Sequence, residues 1–148
     1  MSFVRIVHHI VFSTKNRKPW LDEEIQASMF AYMGGIVRER KGTLMEAGGM
    51  ADHVHLLVAM HQTTSVADLV RDIKSGSSRW MHLRNEHHHG FAWQTKYGAF
   101  SVSLSMEETV QAYIRNQIEH HRKRTFQDEF RGMLDRHGFS YDERYMWE

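Results

Sequence analysis

The order in which hydrophobic periods follow one another does most to narrow what this chain can fold into. Val4 to Phe12 is rich in β-branched residues and reads as a strand. Leu21 to Arg40 follows a helical period, with Ile25, Met29, Met33, Ile36 and Val37 on one face and Asp22, Glu23 and Glu24 in a first turn that favours negative charge. Two strands are expected next, Gly42 to about Ala47 and about His53 to Met60, with a turn at Gly48-Gly49. A second helix starts near Ser65, where Ser65-x-x-Asp68 has the form of a capping box, and carries Val66, Leu69, Val70, Ile73, Trp80 and Met81. Phe91 to Ser105 reads as one or two further strands with a bend near Gly98. Met106 to about Arg124 and Phe126 to Arg136 read as two more helices, the last ended by Gly138.

Strand-helix-strand-strand-helix-strand, followed by helices, is the order of an α+β ferredoxin-like (RRM-like) split βαβ sandwich. It predicts an antiparallel sheet with helices on one face plus C-terminal helices, the other face being left free for a ligand or partner. The 148 residues suit one domain, 1–148, with an acidic tail over about 126–148. Residues 1–125 carry 16 Lys and Arg against 12 Asp and Glu, and 126–148 carry 3 against 6. A mildly basic body with an acidic end is compatible with local phosphate contacts but does not name a partner. There is no cysteine, so disulfide frameworks and thiolate zinc sites are excluded, and a reducing cytoplasm fits. No signal-peptide pattern opens the chain, and no apolar run is long enough to span a bilayer, so no membrane is expected.

The 12 histidines are the compositional anomaly. In Asp52-His53-Val54-His55-Leu56-Leu57-Val58, alternate side chains of a strand share a face. Val54, Leu56, Val58 and Met60 form the core set, so His53 and His55 leave the other face together, their Cα atoms roughly 6.5–7 Å apart. Two imidazoles so placed can converge on one cation or one phosphate; two polar residues on a solvated strand face are the plainer alternative. On the third helix Val110, Ile114 and Ile118 make a core stripe, and Tyr113, Gln117 and His120 line its flank at i, i+4 and i+7. The alternative is a tyrosine at the core edge with polar neighbours in water. A phenol, with a pKa near 10, is a poor nucleophile until a metal neutralises its target or a base takes its proton. A phosphotyrosine diester conserves the bond energy of the strand it breaks, which suits cutting and rejoining.

Taken together, His53-Val54-His55 after Asp52 and Tyr113-Ile114-Arg115-Asn116-Gln117 on a later helix resemble the single-tyrosine HUH transposases. These are the small transposases of insertion-sequence-200/605-type elements and their domesticated relatives associated with repetitive extragenic palindromes. His9-Ile10-Val11-Phe12 leading to Lys15 and Arg17 supports the resemblance, as do Lys74-Ser75-x-Ser77-Ser78 and Trp93-Gln94-x-x-Tyr97-Gly98-Ala99-Phe100-Ser101-Val102-Ser103.

The resemblance implies that His53, His55 and Gln117 ligate a divalent metal, Mg²⁺ or Mn²⁺, and that Tyr113 attacks the scissile phosphate of single-stranded DNA. A 5′-phosphotyrosine link and a free 3′-OH would result. It further implies hairpin-bearing DNA ends as substrate and a homodimer in which sheet edges join. By ligand preference alone, two imidazoles and an amide would suit zinc, manganese or nickel better than magnesium. Lys15, Arg17, Lys18, Lys74, Arg79 and Arg122 are candidate phosphate contacts, with Trp20 beside the first three as an aromatic partner. His120 could assist at the phosphate or simply face water; His8 and His9 read as structural and His87-His88-His89 as a solvated turn. Two other classes stay open: a non-catalytic nucleic-acid-binding module, which would stack bases on sheet aromatics, and a metal-dependent phosphohydrolase, which would use water and need no tyrosine.

Overall fold

The computed structural model describes residues 2–147. Four strands, β1 (Ile6–Ser13), β2 (Thr43–Met50), β3 (His53–Met60) and β4 (Gly98–Ser101), form one antiparallel sheet in the order β2-β3-β1-β4. The connecting helices are α1 (Glu23–Glu39) and α2 (Val66–Arg84), followed after β4 by α3 (Glu107–Arg115), α4 (Gln117–His121) and α5 (Phe126–Arg136). This is the expected split βαβ order. Local capping sets the helix starts: Asp22 accepts from the Ile25 amide, Ser65 from Asp68 and Thr125 from Asp128. Among the described residues no helix is long and apolar enough to cross a membrane.

Val54, Leu56, Val58 and Met60 of β3 join Ile10 and Phe12 of β1 under α1 and α2. That side is the main core, completed by Met29, Met33, Ile73 and Met81. Period two then dictates the other side: Val7, Val11 and Leu57 point away from it and need cover of their own. Ile114 of α3 packs on Val7 and Leu57, while Phe126, Phe130 and Met133 of α5, at i, i+4 and i+7, pack with Val11 and Phe100. The second face is therefore not free as expected. Three apolar strand positions required burial, and the C-terminal helices supply it.

Several boundaries differ from the sequence reading: β1 begins at Ile6 rather than Val4, and of Phe91 to Ser105 only Gly98–Ser101 is strand. Gly48 and Gly49 lie inside β2, opposite His55 and Val54, and the turn falls at 51–52. A Cβ on Gly48 would run into the backbone carbonyl oxygen of Ile114, so the glycine is there because α3 lies directly against the strand. Gly48→Ala is expected to lower the urea midpoint by an amount equivalent to about 1–3 kcal/mol, the usual cost of overpacking; an unchanged midpoint would contradict the seating of α3. The third helix, expected to run unbroken to about Arg124, breaks at Asn116 (φ −98°, ψ 28°). The break separates Tyr113 from Gln117 by helix but not in space.

Candidate active site

The break at Asn116 and the docking of α5 deliver a cluster of side chains onto one end of β3. His53 and His55 are both fully buried on the central part of the sheet, with ring centroids 5.1 Å apart. His53 Nδ1 contacts Asp52 Oδ1 at 2.7 Å, and its Nε2 lies 3.0 Å from Gln117 Oε1. Its ring is flanked by His121 and Phe126 at 4.5 and 4.6 Å. His55 Nδ1 lies 2.8 Å from His9 Nε2, and His55 Nε2 lies 2.9 Å from Glu129 Oε1. The meeting of the two strand histidines with Tyr113 and Gln117 was implied by the family resemblance; Glu129 was not singled out there, and it stands at the centre.

Glu129, on α5, is fully buried and engaged through both oxygens. Oε1 faces His55, His121 at 3.1 Å and His53 at 3.4 Å. Oε2 accepts from Gln117 Nε2 at 3.2 Å and from the Tyr113 hydroxyl. His120 stacks on the Tyr113 ring at 4.4 Å and 28°, so it is no freely solvated histidine. His9 likewise joins the site, because it shares the face of His55 across the β1–β3 pairing, whereas His8 does not. A signal for Glu129 existed in the apolar stripe of α5, which could be seen to need a sheet, but nothing local said which sheet position it would meet.

Burial and charge work against each other here. Burial disfavours a proton on His53, but hydrogen bonds to Asp52 and Glu129 outweigh it and raise its pKa to about 9. His55 is lowered to about 4, by burial first and then by repulsion from His53 and His121. His9 is lowered to about 3 by burial and by His55. Burial and the bond to Glu129 both push the Tyr113 phenol above its usual range. Glu129 is held far below the usual carboxylate range, because hydrogen bonds from His121, His53 and His55 outweigh its burial.

A pH dependence of stability follows. His9 and His55 exclude in the folded state a proton that the unfolded chain binds, so they contribute stability above pH 6.5 that is lost as pH falls toward 4 and below. His53 has the opposite sign, contributing below 6.5 and losing that contribution as pH rises through about 9. The melting temperature of metal-free protein is expected to drop from pH 6.5 to 4.5, and the drop to be shallower in His9→Gln. Scanning calorimetry across that range checks it, and a flat acid limb in the unsubstituted protein would contradict it.

The donor set fits a divalent cation. One ring nitrogen each of His53 and His55 and a Glu129 oxygen lie within 4.8 Å of one another, and Gln117 Oε1 adjoins His53 Nε2 at 3.0 Å. The far nitrogens are also held. Asp52 can accept a hydrogen bond from the Nδ1–H of His53 and so leave the lone pair on Nε2, as carboxylates do behind metal-binding histidines. A neutral His9 can accept from His55 Nδ1, which frees His55 Nε2 in the same way.

The candidate DNA contacts are more scattered. Lys15, Arg17 and Lys18 follow β1 at the end of the sheet where Ser13 pairs with His53. Arg17 Nη1 donates to the Trp147 carbonyl at 3.3 Å, and Lys18 lies 6.0 Å from the Trp20 ring. Lys74 donates to the carbonyls of Gln94, Thr95 and Lys96 at 2.8–3.3 Å, and burial lowers its pKa to about 8. Arg79 lines a cleft with Tyr32, Trp80 and Leu83, among α1 and α2 rather than with the histidines. Arg122 is exposed and pairs with Glu119 at 3.1 Å. A cavity of about 520 Å³ opens beside Tyr113, lined also by His9, Phe100, Val110, Arg136 and His137.

An α+β sheet carrying two strand histidines beside a helix tyrosine and glutamine is the arrangement of a small tyrosine transposase. Residues 2–117 match the family model of IS200-like transposases, and the chain belongs to that family. It is 25% identical over 118 residues to the ISDra2 transposase TnpA of Deinococcus radiodurans, covering 76% of this chain and 84% of the relative. A crystal structure of a transposase from Deinococcus radiodurans R1 superposes with a TM-score of 0.61 at 27% identity, over 78% of this chain and 93% of that one. A REP-associated tyrosine transposase bound to a REP hairpin shares the fold, with a TM-score of 0.62 at 14% identity, over 82% and 72% of the two chains. The family match ends at Gln117, so α5 and Glu129 lie outside it.

Proposed function

We propose that this chain, acting as one domain over 1–148, cleaves and rejoins single-stranded DNA at hairpin-bearing ends through a 5′-phosphotyrosine intermediate. The observation that carries the reading is the meeting of Tyr113, Gln117 and the His53–His55 pair in one buried cluster, from helix and strand far apart in the chain. The Tyr113 oxygen attacks the scissile phosphorus, a new P–O bond forms to the phenol, and the bond to the 3′-oxygen breaks, leaving a 3′-OH. Attack by a 3′-OH on the phosphotyrosine reverses the step and reseals a strand. His53, His55 and Gln117 would hold Mg²⁺ or Mn²⁺. Such a cation, when bound, supplies positive charge that offsets charge building on the phosphate and favours the phenolate.

The chain's own residues do the rest. Burial and Glu129 disfavour ionisation of Tyr113 in the resting site, which guards the phenol until substrate is bound. The stack of His120 on the phenol ring fixes its direction, and a cavity opens beside the residue. Lys15, Arg17 and Lys18 are the candidate phosphate contacts best placed near the histidine end of the sheet, with Arg122 near α4; Lys74 holds the 94–96 segment. Family resemblance supports a homodimer. A base-stacking module is disfavoured because α3, α4 and α5 cover the face such a module would need.

The test is incubation with single-stranded hairpin DNA and Mn²⁺ or Mg²⁺, followed by denaturing electrophoresis. A protein–DNA adduct that survives denaturation supports the reading; cleavage without one would overturn it.

A further inference from the structure

Glu129 raises a question that the three expected ligands leave open. Two neutral imidazoles and an amide bring no negative charge to a buried dication, and an uncompensated buried charge is costly. A fully buried carboxylate stands in the same cluster, in a helix beyond the segment matched by the family. Its spacing to His55 is that of a ligand, and its spacing to His53 is a few tenths of an ångström wider. With donors at about 2.0–2.1 Å in octahedral geometry, neighbouring donor atoms lie about 2.8–3.0 Å apart. Glu129 Oε1 is 2.9 Å from His55 Nε2 and 3.4 Å from His53 Nε2, and Gln117 Oε1 is 3.0 Å from His53 Nε2.

Building on the proposed metal-assisted reading, we propose that Glu129 is a fourth protein ligand of the divalent cation. It binds through Oε1 while Oε2 keeps hold of the Tyr113 hydroxyl. One carboxylate then ties the nucleophile to the cation and anchors α5 over the site. A second hard oxygen also shifts the donor set from one suited to zinc or nickel toward one suited to Mn²⁺ or Mg²⁺. The competing role is that of an internal counter-ion, which fills the space between the imidazoles and must leave before a cation enters.

Mn²⁺ binding to the full chain, followed by electron paramagnetic resonance without DNA, separates these roles. Glu129→Gln keeps the size and removes the charge; it is expected to weaken Mn²⁺ binding at least tenfold, since even outer partners of a ligand are worth about 10–100-fold. A counter-ion predicts the reverse, and affinity that is unchanged or tighter in Glu129→Gln would overturn the proposal. His53→Ala and His55→Ala are the control for the underlying reading. If they bind Mn²⁺ as well as the unsubstituted protein, or if that protein binds none, the metal site itself is wrong and the inference falls with it. Should Glu129→Gln fail to fold, unsubstituted protein carrying ¹³C-carboxyl glutamate decides the matter. Electron–nuclear double resonance of bound Mn²⁺ is expected to show both imidazole ¹⁴N and carboxyl ¹³C couplings. Nitrogen coupling without carbon coupling would sink Glu129 as a ligand and leave the histidine site standing.

Discussion

Tyr113→Phe is expected to eliminate the covalent protein–DNA adduct and to reduce strand cleavage by about 10⁴-fold or more, the scale on which enzymes lose rate with their nucleophile. The substitution is structurally mild. It removes one oxygen and keeps the ring that stacks on His120 at 4.4 Å. Glu129 loses one donor but retains His55, His121 and Gln117, so the fold keeps its buried carboxylate partnered. Folding and hairpin binding should therefore survive, and loss of chemistry can be assigned to the hydroxyl. A variant that still cuts at the normal rate would show that water is the nucleophile. The protein would then be a metal-dependent phosphohydrolase on a transposase fold.

The second large effect is expected at the strand histidines. His53→Ala or His55→Ala should abolish cleavage while hairpin binding, read by gel shift, largely persists. The distinction rests on where the two side chains sit: both are fully buried under α4 and α5, where a long duplex stem cannot reach them, while the basic turn after β1 is exposed. Each change also strands a polar neighbour, Asp52 behind His53 or His9 behind His55. Some loss of stability is thus expected in His55→Ala, of the order of 1–3 kcal/mol for the unsatisfied buried His9, and less in His53→Ala, where Asp52 is part-exposed. Melting curves run beside the cleavage assay separate that loss from lost chemistry. Equal loss of binding and cleavage in a folded variant would make the pair a DNA contact instead.

How legible the site was depends on how locally each residue's placement is decided. His53 and His55 could be read because Val54, Leu56, Val58 and Met60 set the register of β3, and period two then assigns the opposite face without further information. Tyr113 and Gln117 share a flank by helical spacing, and the break at Asn116 bends the path without separating them. Gly48-Gly49 misled, because glycine pairs usually mark turns; here Gly48 answers to the carbonyl of Ile114, in a helix distant in the chain, and Gly49 to the backbone of His53 on the paired strand. His9 looked structural because its value comes from one contact across two strands.

The chain alone determined the element order, the apolar face of β3 and the paired histidines, since each follows from repeats of two or 3.6 residues that a few neighbours enforce. Tertiary structure decided that the second sheet face is closed and that His9, His121 and above all Glu129 meet there. Val7, Val11 and Leu57 demand cover, but nothing short of the packing of α5 says which helix provides it. Once Phe126, Phe130 and Met133 seat against the sheet, Glu129 is carried in between the imidazoles; contacts over 74 residues of chain are settled by the docking of whole helices and leave no local pattern to read.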